Sequence, residues 1–311
     1  MATTDSPNVL VIGSMNMDLV VQTGRIPRPG ETVLGGRYFQ APGGKGGNQA
    51  VAAARLGARV RMLAKVGDDG FGTELIAGLR GAGVNAEAVE RVAGEATGVA
   101  LIMVGADGEN AISVASGANA TADAAWIDRH ESLIAAAKVC LFQLEIPQET
   151  VAHGIEVCRR HGVLTVLDTA PVPAEPLAGL FAADVVSPNA GEAELLTGVR
   201  PTGSDAASIQ KVIDGLRERG AKRVVLKLGG QGAVAFENGR VEHVVAHHVE
   251  AIDTTAAGDA FTAALGVALM RGHSLFEATR YANGAGGAAC TVMGAQPSMP
   301  SAATVQSLLD T

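Results

Sequence analysis

The sequence predicts an α/β fold: a doubly wound, mostly parallel sheet flanked by helices, with a small β-sheet lid. Three observations carry this. From Ala135 onward, short Val/Ile/Leu runs alternate with helical stretches, the pattern of strand–helix–strand crossovers. Hydrophobic residues make up 47% of the chain but aromatics only 3%, which suits parallel strands buried on both faces. Two stretches, TGVALIMVG (Thr97–Gly105) and ENAISVAS (Glu109–Ser116), flank Ala-Asp-Gly and read as a hairpin outside that alternation. With no repeat or low-complexity linker, residues 1–311 form one domain, and segments near 14–40 and 97–116 supply the lid.

Taken in order, NVLVIG (Asn8–Gly13) and MDLVVQ (Met17–Gln22) are strands, and the Gly-, Pro- and Arg-rich stretch from Gly24 to Gly36 is a loop. A helix runs from Asn48 to a glycine stop at Gly57, followed by the strand RVRMLAKVG. DDGFGTELIAGLRGAG gives a turn, a helix and a second glycine stop. The segment near Thr32–Gln40 joins Met17–Gln22 and the hairpin in the small sheet. Beyond Ala135, KVCLFQLE precedes a helix from Gln148, VLTVLD a loop, and DVVSPN the helix of EAELLTG. A helix near Ala206–Arg219 leads to RVVLKLGGQGAVAFENG and EHVVAHHVEAID, then apolar helices from Ala256 and Ser274 and a last one near the C-terminus. Ligands in such folds sit beyond the carboxyl ends of the strands.

A net charge of -8 argues against a general nucleic-acid or anionic-membrane binder. Cys140, Cys158 and Cys290 are scattered without CxxC pairing, which fits a reducing compartment. The N-terminus lacks a basic n-region, and no apolar stretch reaches membrane-spanning length, so a cytoplasmic location is expected.

DTTAAGDAF (Asp253–Phe261) places one aspartate, Asp259, in a first helical turn behind small residues. Either Asp259 merely complements the helix dipole, or the uncovered amides from Ala256 to Asp259 form an anion hole beside a carboxylate base. APGGKGGNQA (Ala41–Ala50) is not a Walker motif, because Gly46 follows Lys45 where Ser or Thr is required. Its glycines permit close backbone approach, and Lys45 and Asn48 offer donors at a helix start. In GSMNMD, Asn16 and Asp18 alternate and can share one face, an arrangement suited to vicinal hydroxyls. Asn189 and Glu192, in SPNAGEAELLTG, are either a capped helix start or holders of a hydrated Mg²⁺. LKLGGQGA suits a phosphate or adenine contact, or a plain turn. His243, His247 and His248 lie in an apparent strand without a zinc pattern, and no GxSxG elbow supports serine hydrolysis.

Together, GSMNMD, PGETV, GGKGGNQAVAAARLGA, GDDGFG, ATGVAL, GEN, QLE, SPNAGEAELLTG, DTTAAGDAF and GAQPSMP resemble the ribokinase-like (PfkB) carbohydrate kinase family from Val9 to Pro300. The resemblance implies ATP-dependent phosphorylation of the 5-hydroxyl of D-ribose, with Asp259 as base and the amides of Ala256, Ala257 and Gly258 as anion hole. It implies sugar contacts along Asn16, Met17, Asp18, Gly44, Lys45, Gly46, Gly47, Asn48 and Glu145. It places nucleotide contacts at Asn189, Glu192, Lys227, Gly229, Gly230, Gly232, Gly258 and Asn283, with Glu192 in the Mg²⁺ and phosphate water network. An activating monovalent cation, usually K⁺, falls to Asp253, Thr255, Ala289, Val292, Gly294 and Ser298, and a homodimer through the lid sheet is expected. The chain departs from the family at DTAPV (Asp168–Val172), where many members read NPAPA. Deoxyribose, another pentose or hexose, or a nucleoside are alternative acceptors. A catalytically silent sugar or nucleotide sensor is the alternative of another class. A nicotinamide dehydrogenase is disfavoured, since GSMNMD stands where GxGxxG would be needed.

Overall fold

The computed structural model describes residues 8–203 and 205–310. Residues 1–7, part of the stretch inspected for a leader, lie outside them. The chain enters through β1 (Val9–Ile12), then leaves for a second sheet with β2 (Asn16–Gln22) and β3 (Tyr38–Gly43). It returns through α1 (Lys45–Arg55), β4 (Val60–Gly67), α2 (Gly70–Gly81) and β5 (Asn85–Val92). The hairpin β6 (Gly98–Val104) and β7 (Asn110–Ala115) follows, then the short α3 (Ala124–Arg129) and α4 (Glu131–Ala135). The second half comprises β8 (Val139–Phe142), α5 (Gln148–Arg160), β9 (Leu164–Asp168), β10 (Val185–Ser187), α6 (Ala190–Thr197) and α7 (Ala206–Glu218). β11 (Val224–Lys227), β12 (Ala233–Glu237), β13 (Arg240–Val244), α8 (Ala257–Met270), α9 (Leu275–Ala289), α10 (Ala295–Ser298) and α11 (Ala302–Leu309) complete it.

The main sheet runs β13-β12-β11-β10-β9-β8-β1-β4-β5, parallel from β5 to β11, with β12 and β13 antiparallel at one edge. Its apolar side chains alternate between two cores, as a pleated strand dictates. From β1, Val9 and Val11 face the core that includes α1, α2, α8 and α9, whereas Leu10 and Ile12 face the core that includes α5, α6 and α7. Helix α8 is buried nearly all round, and an added methyl at Gly266 would stand 2.5 Å from Leu141 of β8. That close approach seats α8 directly on the sheet, with its N-terminus at the strands' carboxyl ends.

The small sheet runs β3-β2-β6-β7. Pairing of Ala100 with Val114 and of Ile102 with Ile112 puts these apolar side chains on its cavity face. Asp69 fixes where the lid departs: Oδ1 accepts from the Gly72 N–H at 2.8 Å, capping α2, and from the Thr97 hydroxyl at 2.6 Å. Its other oxygen accepts the Thr97 N–H at 2.8 Å. Although burial opposes it, these Thr97 and Gly72 bonds hold the Asp69 carboxyl below its ordinary pKa.

Several expectations need correction. Helix α1 begins at Lys45, not Asn48, because Gly44 turns the chain at φ 81° and the N–H of Gly47 bonds Ser14 O at 2.9 Å. The third lid strand is Tyr38–Gly43, since the preceding Thr32–Arg37 stretch forms no strand. His247 and His248 lie beyond β13 in irregular chain, and only His243 is in the strand. β5, α3 and α4 are additional elements.

Candidate active site

A cavity of about 720 Å³ lies between the carboxyl ends of the main sheet and the lid. Helix α8 points its N-terminus into it, and Asp259 sits there at 4% exposure. Ala256, just before the helix, has φ 58°, one of two non-glycine residues with positive φ among the described residues. The Ala257 N–H is held by Thr254 O at 3.2 Å. Gly258 and Asp259 occupy first-turn positions whose N–H groups have no intrahelical acceptor.

Asp259 is held from α1. Asn48 Nδ2 donates to Oδ2 at 2.9 Å and Gln49 Nε2 to Oδ1 at 3.1 Å. Burial pushes the Asp259 carboxyl up to about 6, with Asp168 adding to the rise and Lys45, Asn48 and Gln49 opposing it. An aspartate at about 6 is mostly ionised at neutral pH and a stronger base than a solvated one. Burial opposes the Lys45 ammonium, but Asp259, Asp168, Glu145 and Glu192 together raise its pKa.

Polar groups gather beside Asp259 on the lid side. Glu145 Oε2 accepts from Ser14 Oγ at 2.6 Å, from the Lys45 N–H at 3.0 Å and from Asn16 Nδ2 at 3.4 Å. Asn119 Nδ2 donates to Asn16 Oδ1 at 2.8 Å. Asp18 reaches the cavity, its carboxyl raised to about 7 by burial and by Glu145 and Asp259. Asn48 Oδ1 is buried without a partner, an acceptor available to a ligand hydroxyl. Glycine is required here for space. A methyl at Gly43 would stand 2.3 Å from the Asp18 carboxylate, and one at Gly44 would stand 2.6 Å from the Asn16 N. Of the expected sugar-side residues, Asn16, Asp18, Gly44, Lys45, Asn48 and Glu145 line the cavity. Met17, Gly46 and Gly47 are buried and stand outside its wall.

The opposite end is built from the ends of β10 and β11 and the α8–α9 region. Asn189, Glu192, Lys227, Gly229, Gly230, Gly232 and Asn283 all line it. Asn189 caps α6 by accepting the Glu192 N–H at 2.9 Å, and Glu192 Oε2 accepts back from the Asn189 N–H at 2.9 Å. The same oxygen also accepts from the Thr169 hydroxyl at 2.9 Å. The pair is thus a capping box, and both of its residues line the cavity. Lys227 Nζ donates to Asp168 Oδ1 at 3.0 Å, and Asn283 Nδ2 donates to Val245 O at 2.7 Å.

The proposed cation residues come from two segments that the fold joins. Asp253 Oδ2 accepts the Gly294 N–H at 2.8 Å and Oδ1 the Thr255 N–H at 2.9 Å. Burial opposes ionisation of Asp253, but these bonds to Thr255 and Gly294 hold its pKa below the usual range. Thr255 lines the cavity; Asp253, Ala289, Val292, Gly294 and Ser298 stand outside its wall. The Ser298 hydroxyl donates to Ala295 O at 2.8 Å, and Val292 is exposed. Among the described residues no group of three His, Cys, Asp or Glu side chains is set to hold a metal.

No role is expected from the sequence for three further site residues, Gln49, Asn119 and Thr262, whereas Asp168 opens the DTAPV departure. Gln49 follows Asn48 in a helix whose remaining residues between Lys45 and Arg55 are Ala, Gly and Val, and Thr262 is one helical turn from Asp259. Those spacings were usable signals, whereas nothing local marks Asn119.

A carboxylate buried at a helix N-terminus, with polar side chains on one side and a glycine-lined groove on the other, fits a phosphotransferase-type cleft. The comparisons narrow that class. Residues 6–302 match the family described as pfkB family carbohydrate kinase, and the chain belongs to it. It is 39% identical to a ribokinase of Bacillus subtilis, with 97% of this chain and 99% of that protein covered. It is also 37% identical to a deoxyribokinase of Salmonella typhi, covering 82% and 83%. The structure of an Arabidopsis thaliana ribokinase complexed with ribose and ATP superimposes with a TM-score of 0.90 at 32% identity, covering 98% of this chain and 99% of the other.

Proposed function

We propose that this chain transfers the γ-phosphoryl group of ATP to the 5-hydroxyl of D-ribose, giving ribose 5-phosphate and ADP. The observation that carries this is Asp259, a carboxylate buried at the start of α8 between the two dissimilar ends of one cavity. The ribose hydroxyls face Asn16, Asp18, Asn48 and Glu145, and the nucleotide lies along Asn189, Lys227, Gly229, Gly230, Gly232 and Asn283. The sugar 5-oxygen attacks the γ-phosphorus as the bond to the β-phosphate oxygen breaks. Its proton passes to Asp259, and ADP leaves. The first-turn amides of α8 take the developing negative charge on the transferring group. Similarity to ribokinases over nearly the whole chain supports the substrate.

Two ions fit the donor chemistry. Mg²⁺ would neutralise phosphate charge, its hydration waters held by Asn189 and Glu192, because such ions need few direct carboxylates. A monovalent cation such as K⁺ would be held by the ionised Asp253 and by carbonyls of the Thr255 and Ala289–Ser298 stretches. Exposed Leu101, Tyr38 and Phe39 on the lid support a homodimer paired through that sheet. The free thiols of Cys140, Cys158 and Cys290 support a cytoplasmic location, and among the described residues no helix is long and apolar enough to cross a membrane.

ADP release from ATP·Mg²⁺ in K⁺, compared across D-ribose, 2-deoxyribose, fructose and adenosine, tests the assignment. Ribose-selective turnover that collapses in Asp259→Asn is expected. Preference for deoxyribose would move the substrate, and sugar binding with no turnover would make the chain a sensor.

A further inference from the structure

Two of the three residues at which DTAPV departs from NPAPA, Asp168 and Thr169, make contacts at the nucleotide end of the cavity. Thr169 donates to Glu192 at 2.9 Å, which the proline of the NPAPA pattern could not do. Asp168, at 2% exposure, accepts from the Lys227 ammonium at 3.0 Å. Its second oxygen accepts from Thr262 at 3.0 Å and from Gln49 at 3.2 Å, so its position is fixed from both α8 and α1. Lys227 is itself 8% exposed and lines the cavity, and a methyl group at Gly258 would lie 3.9 Å from its Nζ. The ammonium therefore stands beside the first turn of α8, where the transferring phosphate is drawn under the proposed function.

We propose that Asp168 is a positioning residue that holds the Lys227 ammonium against the phosphate site, so that Lys227 adds a side-chain cation to the amides of α8. The proposal rests on the cavity being a phosphoryl-transfer site, not on ribose being the acceptor. A lysine alone is a mobile point charge on a four-carbon stem, and a buried carboxylate anchored by two other donors fixes it. The pair also explains why the cation is tolerated in so enclosed a place, since buried charges need partners. When the phosphate arrives, Lys227 has a second anion to contact without leaving Asp168, because an ammonium carries three donors.

The test uses the full chain with Asp168→Asn, Lys227→Met and the double variant. Binding of a non-hydrolysable ATP analogue with Mg²⁺ is measured by calorimetry alongside kcat with the best acceptor. Lys227→Met should weaken nucleotide binding and lower kcat, each by roughly tenfold to a hundredfold, the range of one charge-assisted hydrogen bond. Asp168→Asn should split the two readouts: kcat falls by about tenfold or more while nucleotide binding stays equal or tightens, because a carboxylate repelling the phosphates is gone. The double variant should match Lys227→Met rather than multiply the losses. It removes both buried charges, so it keeps the question open to measurement should Asp168→Asn alone unfold. Parallel loss of binding and kcat in a folded Asp168→Asn, multiplicative losses in the double variant, or a silent Lys227→Met would overturn the proposal. Should D-ribose not be phosphorylated, the ribose assignment fails, and the binding readout still decides the role of Asp168.

Discussion

An aspartate at 4% exposure carries a desolvation cost that Asp259 meets with only two side-chain donors, Asn48 and Gln49. The outcome is a carboxyl raised to about 6, which predicts a pH profile. With Asp259 as base, kcat/KM should fall about tenfold per unit as the pH drops below ~6. Asp259→Asn should lower kcat by roughly a hundredfold to ten-thousandfold, the range for a lost general base, with little change in ribose affinity by calorimetry. Asp18 gives a prediction of opposite flavour. Its folded pKa of about 7 lies above the unfolded value near 3.8, so the ionised form is disfavoured in the folded state. The penalty is complete above pH ~7 and vanishes toward pH ~4. Asp18→Asn should therefore stabilise the unliganded protein at pH 8, on the order of 1–3 kcal/mol after discounting for solvent at the cavity mouth, and give nothing at pH 4. Thermal unfolding at the two pH values, with ribose affinity measured in parallel, separates that gain from the expected loss of sugar binding.

At the level of elements, α1 shows what local sequence can and cannot say. Its alanine-rich body and Gly57 stop were legible, but the first turn, Lys45–Gly47, carries two glycines and reads as loop. That turn is helical because Ser14 receives it: the Gly47 N–H bonds Ser14 O at 2.9 Å and the Gly46 N–H bonds Ser14 Oγ at 3.3 Å. Gly44→Ala should cost about 1–2 kcal/mol for the left-handed backbone alone, plus the collision with Asn16, and should weaken ribose binding. Chemical denaturation and calorimetry check both. β5 escaped notice for a different reason. NAEAVERV is an edge strand with one buried face, so its alternation is diluted by Asn, Glu and Arg. The parallel strands, continuous in Val, Leu and Ile, were readable, as were the apolar α8 and the Ser274-capped α9. Within the site, residues inside compact motifs were legible, among them Asn16, Lys45, Asn48 and Asp259. Gln49 and Thr262 were not, because their roles exist only through distant contacts, those with Asp168 spanning 119 and 94 residues of chain.

For the whole molecule, the cavity divides labour between a rigid sheet edge and a lid anchored by Asp69 and Thr97. Ligands that bind only the folded chain should stabilise it by about 2.7 kcal/mol at one hundred times Kd and so raise its thermal midpoint, and ribose with an ATP analogue should raise it more than either alone. The proposed pairing through the lid predicts that Leu101→Glu shifts the protein toward monomer in sedimentation velocity; an unchanged sedimentation coefficient would overturn that pairing. The docking of α1 on α8 also governs when during synthesis the protein becomes active. Asn48 and Asp259 meet across 211 residues, so no nascent chain lacking α8 can assemble its base against its sugar-binding segment. Entropy places such distant closures late in folding. On refolding, helical signal should return before ribose binding. A ribosome-bound chain halted before α8 should carry much of the sheet, yet transfer no phosphate and leave cellular ATP untouched.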